Sequence, residues 1–163
     1  LLGGFSKAYA MTGWRVGYAA APAPILEAMM KVHQYVTMCA STMSQAAAVE
    51  ALKRAEPDVQ DMVASYDRRR RLIVSALNDM GLRCFEPRGA FYAFPSIAIT
   101  GLSSEDFAEQ LLVEEKVAVV PGSAFGACGE GFVRCCYATS MDEIKEAIVR
   151  IGRFVDRHRA GPK

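Results

Sequence analysis

Apolar positions follow one period in the first half of the chain and another in the second. From Pro24 onward Ile25, Met29, Val32 and Val36 fall at helical spacing, which predicts an amphipathic helix with Pro24 in its first turn, where no hydrogen-bonded N–H is needed. A second helix is predicted over residues 44–54. Pro57 and Asp58 then open the longest periodic stretch, in which Val59, Met62, Val63, Tyr66, Ile73, Leu77 and Met80 keep one apolar face for about six turns. Gly81 stands where a C-terminal cap belongs. Beyond it the pattern changes to short strands alternating with helices, with strand candidates at residues 83–85, 90–95, 117–120 and 131–137. Ser103, ahead of Asp106, Phe107, Leu111 and Leu112, is a helix N-cap candidate. Ser140 and Glu143 form a capping box for a last helix whose Ile144, Ile148, Ile151 and Val155 share a face that should dock on a sheet. Residues 160–163 read as a frayed end.

Ahead of the first helix, residues 3–17 are rich in glycine and small side chains and should form an ordered loop, followed by a short strand over residues 16–21. Leu1-Leu2-Gly3-Gly4 reads as the end of a buried strand, and a start at Leu1 suggests a truncated chain.

Bulk properties narrow the class of protein. With 163 residues, 52% of them hydrophobic and 23% charged, the chain can bury a core. The net charge of +1, from 19 basic and 18 acidic residues, creates no overall field for nucleic acid or anionic lipid. Five cysteines in no C-x-x-C pair fit a reducing, cytoplasmic setting. No apolar run approaches the roughly 18 to 20 residues that cross a bilayer, and no secretory signal is present. A soluble cytoplasmic protein is expected, with no nucleic-acid or membrane partner.

The candidate chemistry begins at Lys7, set among small and apolar neighbours in Gly4-Phe5-Ser6-Lys7-Ala8-Tyr9-Ala10. Desolvation favours the neutral amine, which can attack an aldehyde; the plainer reading is a surface lysine in a turn. Arg15 follows eight residues later in a glycine-flanked turn, where a fixed guanidinium could clamp a phosphate, and Ser6 and Thr12 add hydroxyls. An aldehyde anchor and a phosphate anchor on one loop match pyridoxal phosphate. The segment resembles the cofactor-attachment signature of class I and II aminotransferases, a Ser-Lys pair followed by Gly-x-Arg-x-Gly. One departure is Gly4, where the family often has a phosphate-binding serine.

A second anchor is Arg134 in Phe132-Val133-Arg134-Cys135-Cys136-Tyr137, a strand apolar on both faces. A buried cation needs an anion. That anion is either a core carboxylate in a structural ion pair or a ligand; the segment is similar to the one whose arginine receives the substrate α-carboxylate. Gly89-Ala90-Phe91-Tyr92-Ala93-Phe94-Pro95 resembles the family's strand beside the substrate, although Phe91 and Tyr92 could equally be core. Pro121-Gly122-Ser123-Ala124-Phe125-Gly126 matches the family's turn after the next strand and supports alignment more than catalysis.

The resemblance implies an α/β fold: the C-terminal part of a fold type I pyridoxal-phosphate enzyme. Residues 1–58 would end the large cofactor-binding domain, and residues 59–163, including the interdomain helix, would form the small α+β domain. It implies an aminotransferase that moves an amino group from an amino acid to a 2-oxo acid by a ping-pong mechanism, as a homodimer when full length. Lys7 would carry the cofactor as a Schiff base and move the α-proton, Arg15 and Ser6 would bind the cofactor, and Arg134 and Tyr92 would meet the substrate. The family's acid at the pyridine nitrogen lies upstream of the lysine, so this piece alone is expected to be inactive. The same residues would serve a carbon-sulfur lyase or an aminocyclopropane-carboxylate-synthase-like enzyme, and an aminotransferase-like effector domain of a transcription regulator is a further alternative. The donor amino acid is left open.

Other signals carry less. Arg68-Arg69-Arg70-Arg71 would point around a full helical turn and reads as a solvated face. His33 and His158 lack a second ligand at metal spacing. Cys135 and Cys136 point to opposite sides of a strand and read as core, as Met29, Met30 and the other methionines read as packing.

Overall fold

A computed structural model describes residues 1–159, so the frayed end expected at residues 160–163 lies outside the described residues. The chain divides into two compact units, Leu1–Val63 and the remainder from Ala64. The first opens with strands β1 (Leu2–Gly4) and β2 (Gly17–Ala19), paired antiparallel with Gly3 opposite Tyr18. β1 is exposed rather than buried: Leu1 and Leu2 keep 80% and 78% of their surface. Helices α1 (Ala23–Val36) and α2 (Thr42–Arg54) follow, with Pro24 in the first turn of α1. The apolar period of α1 is present but buries nothing, since Met29, Met30, Val32 and Val36 are all exposed. Packing was therefore the wrong expectation for Met29 and Met30. What the unit does bury is a small cluster of Phe5, Met11 and Ala48, which ties the loop after β1 to α2.

Helix α3 (Glu56–Asp79) contains the break between the units. It ends as expected: Gly81 takes φ 84°, a left-handed conformation that suits a residue without Cβ, and the Leu82 N–H closes the turn on the Leu77 carbonyl at 2.9 Å. Residues 83–85 then fail to pair as a strand. The Asn78 side chain takes their place in the hydrogen bonding, accepting from Cys84 N at 3.0 Å and donating to Cys84 O at 3.2 Å. Side-chain bonding of this kind competes with a β ladder.

The second unit is built on a three-stranded antiparallel sheet in the order β3-β5-β4, from β3 (Tyr92–Ala93), β4 (Val120–Pro121) and β5 (Val133–Cys136). These strands are shorter than the runs expected from sequence. With the sheet go the α-helices α4 (Ser104–Glu115) and α5 (Met141–His158), capped by Ser103 and Ser140, whose side chains accept from Asp106 N and Glu143 N. Ala93, Val133 and Cys135 on one sheet face share a core with Ile73 and Leu77 of α3, Phe107 and Leu111 of α4, and Ile144, Ile151, Phe154 and Val155 of α5. Phe107 meets Phe154 edge to face at 5.1 Å. Phe154 is fully buried, so Phe154→Ala should cost about 3 to 5 kcal/mol, read as a lower urea midpoint with an unchanged slope.

The α4–α5 pair is locked at its far end by charge. Glu115, only 8% exposed, accepts from Arg153 at 2.8 Å and Arg157 at 2.7 Å, while Glu114 accepts from Arg157 at 2.8 Å. The Arg153 and Arg157 hydrogen bonds hold the Glu115 carboxyl below its ordinary value. A depressed folded-state value means that the stabilisation is complete above the unfolded carboxyl value, about 4.3, and is lost as pH falls through the folded value. Glu115→Gln should therefore lower Tm at pH 7, and the gap from wild type should close as pH falls below about 4. A gap that stays constant with pH would assign the loss to packing instead.

Candidate active site

The loop between β1 and β2 carries Ser6, Lys7, Thr12 and Arg15, and the sequence explains how it is held. Phe5 and Met11 are 4% and 8% exposed, pinned on Ala48 with Ala47 and Ala51 beside it, a row of small side chains that lets the loop lie close to α2. The Phe5 carbonyl accepts from both Tyr9 N and Met11 N, and the Phe5 N–H donates to Val16 O, so the loop closes on itself. Ala10 and Arg15 take φ 53° and 50°. Such left-handed geometry costs a residue with Cβ about 1 to 2 kcal/mol and persists where surrounding contacts fix it.

Within this loop the Thr12 hydroxyl donates to Ser6 O at 2.8 Å and Arg15 donates to Thr12 O at 3.1 Å. Ser6, Lys7, Thr12 and Arg15 thus share one hydrogen-bonded turn. Lys7 and Arg15 are exposed, and neither makes an ion pair among the described residues. Among the described residues the poorly solvated surroundings expected for Lys7 are absent: Phe5 and Met11 turn inward with Tyr9 packed beside them, and Lys7 faces out. An amine, a guanidinium and hydroxyls with no internal counter-charge form a donor set suited to an aldehyde bearing a phosphate.

Arg134 lies in the other unit, on β5. Antiparallel pairing sets Tyr92 opposite Cys136 and Val120 opposite Arg134. The two-residue period then sends Val133, Cys135 and Ala93 inward, and Tyr92, Arg134 and Cys136 to the outer face. The strand is not apolar core on both sides: Cys136 is exposed, contrary to the expectation that both cysteines are core. Burial pushes the Cys135 thiol up to about 12.

The Arg134 guanidinium carbon sits 4.4 Å from the Tyr92 ring centre and 4.7 Å from that of Phe125. Its Nε is buried with no hydrogen-bond partner, and no carboxylate pairs with it among the described residues. The structural ion pair considered for Arg134 is therefore not formed. Tyr92 is a half-buried wall of this cation rather than core, and Phe91 stacks on Tyr66 at 5.7 Å.

Phe125 was legible only as part of a turn. That turn is rigid: a Cβ on Gly122 would come within 1.9 Å of the Gly129 carbonyl, so glycines are required where its two limbs meet. Glu130 anchors the segment, accepting from Ser104 N at the start of α4 at 2.8 Å, and that backbone bond holds its carboxyl below the usual value. An aromatic residue in a glycine-rich turn next to a strand bearing an unpaired arginine is the signal that would have found it.

The basic run on α3 is solvated at Arg68 and Arg71, as expected of it, and half-buried at Arg69 and Arg70. Arg70 is bonded to Asp67 and Glu86, Arg71 to Asp67 at 2.6 Å, and Arg69 lies over the Tyr66 ring at 5.3 Å. Three of the four arginines are thus engaged locally. His158 faces Glu114 at 3.3 Å, His33 is exposed, and no cluster of metal-ligating side chains occurs among the described residues. No described helix is long and apolar enough to cross a membrane.

Comparison with known proteins places these features in context. The family model for aminotransferase class I and II matches residues 1–151. The putative aminotransferase YugH of Bacillus subtilis is 59% identical over 157 residues, covering 96% of this chain and 41% of that protein. An aspartate aminotransferase of Pyrococcus abyssi is 51% identical over 154 residues, covering 93% and 40%. The crystal structure of an aromatic aminotransferase from Pyrococcus horikoshii superposes with a TM-score of 0.93 at 50% identity, over 96% of this chain and 42% of that one. The chain spans about two fifths of the length of the relatives it matches.

Proposed function

The chain belongs to the class I and II aminotransferase family, with the α/β fold of its fold type I members, and from that premise we propose that the protein containing it transfers amino groups from an amino acid to a 2-oxo acid with pyridoxal phosphate. The observation that carries this reading is Arg134, a guanidinium walled by two aromatic rings, with a buried Nε and no anion paired with it among the described residues. A partly desolvated cation left unpaired among the described residues is suited to an external carboxylate, which amino acids and 2-oxo acids both carry.

Lys7 is the residue to hold the cofactor covalently, Arg15 is the one to bind its phosphate, and Ser6 is a further cofactor contact. The cofactor, when bound, supplies an electron sink for bond changes at the amino-acid α carbon. Lys7 Nζ, once freed by substrate, takes up and returns the proton at that carbon. Arg134 orients the substrate through its carboxylate, and Tyr92 shields that contact from water. The full-length protein would act as a homodimer in the cytoplasm, alternating between its two substrates in a ping-pong cycle. Residues 1–58 would close the large domain and residues 59–163 form the small one, a boundary that falls inside the same helix as the break between the two compact units.

Two experiments test the assignments. Borohydride reduction of the full-length holoenzyme should leave the reduced cofactor on the peptide containing Lys7; labelling of a different lysine sinks that role. Arg134→Ala should weaken substrate binding at least tenfold with little change in cofactor affinity, and Arg15→Ala should do the reverse, because truncating one partner of a desolvated charge pair costs about 2 to 5 kcal/mol. Equal losses of both affinities in both variants would contradict separate roles. Formation of the amino form of the cofactor on adding amino acid, followed by its discharge with 2-oxo acid, separates transamination from a lyase reaction of the same fold.

A further inference from the structure

An arginine that receives a ligand carboxylate has to be held in place by something that does not use up its charge. An aspartate or glutamate would occupy the N–H groups that the ligand requires and would neutralise the cation. In this protein the Arg134 guanidinium instead lies against Tyr92 and Phe125, and aromatic faces attract a cation without taking a hydrogen-bond donor. Phe125 is 47% exposed and contributes little to the core, so packing alone does not account for a large ring at this position. It is braced nonetheless: Phe94 meets it edge to face at 6.0 Å, and Phe94 stacks on Phe132 at 5.5 Å with the rings 9° from parallel. Behind it, the Gly122–Gly129 contact and the Glu130 bond to Ser104 fix the turn that presents it.

We propose that Phe125 is a positioning residue for Arg134, holding the guanidinium against β5 with its donors free for a carboxylate. The inference rests on the reading of Arg134 as the carboxylate receptor and extends it to the residue that makes the receptor rigid. It has a kinetic consequence. A pre-positioned cation contributes equally to the binding of ground state and transition state, so loss of the ring should raise KM and leave kcat largely intact. The size should follow that of a partly desolvated cation–π contact, roughly a three- to thirtyfold weakening.

The test uses the full-length holoenzyme and its Phe125→Leu, Phe125→Tyr and Arg134→Ala variants. Leucine keeps an apolar side chain and removes the aromatic face, whereas tyrosine restores it. The probes are two unreactive monocarboxylates, 3-phenylpropanoate and hexanoate, titrated as competitive inhibitors, together with KM and kcat for one amino acid and one 2-oxo acid. The expected result is that Phe125→Leu weakens both inhibitors and raises both KM values by the same factor, with kcat within about twofold and cofactor affinity unchanged. Phe125→Tyr should return all of these to wild-type values. Should Arg134→Ala abolish inhibitor binding while Phe125→Leu leaves it intact, the positioning role is overturned and the reading of Arg134 survives. Should Arg134→Ala itself leave inhibitor binding unchanged, the reading of Arg134 fails and the role of Phe125 fails with it. A drop in kcat and cofactor affinity in Phe125→Leu, unrescued by tyrosine, would mark a general structural defect and also overturn the proposal.

Discussion

The antiparallel pairing of β3 with β5 determines which side chains stand on each side of the second unit's sheet. One face takes Ala93, Val133 and Cys135 into the core shared with α3, α4 and α5. The other takes Tyr92, Arg134 and Cys136. A slip of one residue in the register would reverse the two sets, sending a guanidinium into an apolar core and Val133 to the outside. The cost of burying that charge makes the register unambiguous. The same force that specifies the fold therefore delivers an unpaired cation to the outer face, beside aromatic rings.

Several carboxylates elsewhere in the unit are already committed. Glu114 and Glu115 face Arg153, Arg157 and His158 across α4 and α5, while Asp67 and Glu86 take up Arg70 and Arg71. Glu130 is turned onto the backbone at the start of α4, where the helix N-terminus favours a negative charge. The basic run on α3 belongs to this internal pairing: Arg70 has only 18% of its side chain exposed and acts as a local tie, not as part of a cationic surface.

Much of this was visible in the sequence because local signals and tertiary packing agree. Pro24, Gly81, Ser103 and Ser140 mark helix boundaries by chemistry that acts within a few residues, and each does so in the fold. Strand lengths were less legible. Residues 83–85 read as a strand candidate, yet Asn78, on the preceding helix, binds the Cys84 backbone, and such a contact has no periodic signature. The interactions around Arg134 were hidden for a similar reason: Phe125 lies nine residues away along the chain, and only the folding back of a glycine turn brings the ring to the guanidinium. Burial of the α1 face was also misjudged, since helical period reports which residues would face a partner and says nothing of whether the described chain supplies one.

The exposure of Lys7 follows from how its loop is anchored. Phe5 and Met11 are the buried residues of the loop, with Tyr9 and Val16 packed against them, and the Phe5 carbonyl accepts from the N–H groups of Tyr9 and Met11. With both ends fixed in this way, Lys7, Ala8 and Ala10 face outward while Tyr9 packs against Phe5. A lysine buried by its own loop would have to be uncovered before it could reach a ligand. Here the backbone is held while the amine stays accessible, and Arg15, bonded back to Thr12, shares the rigid turn. What the loop provides is therefore geometry.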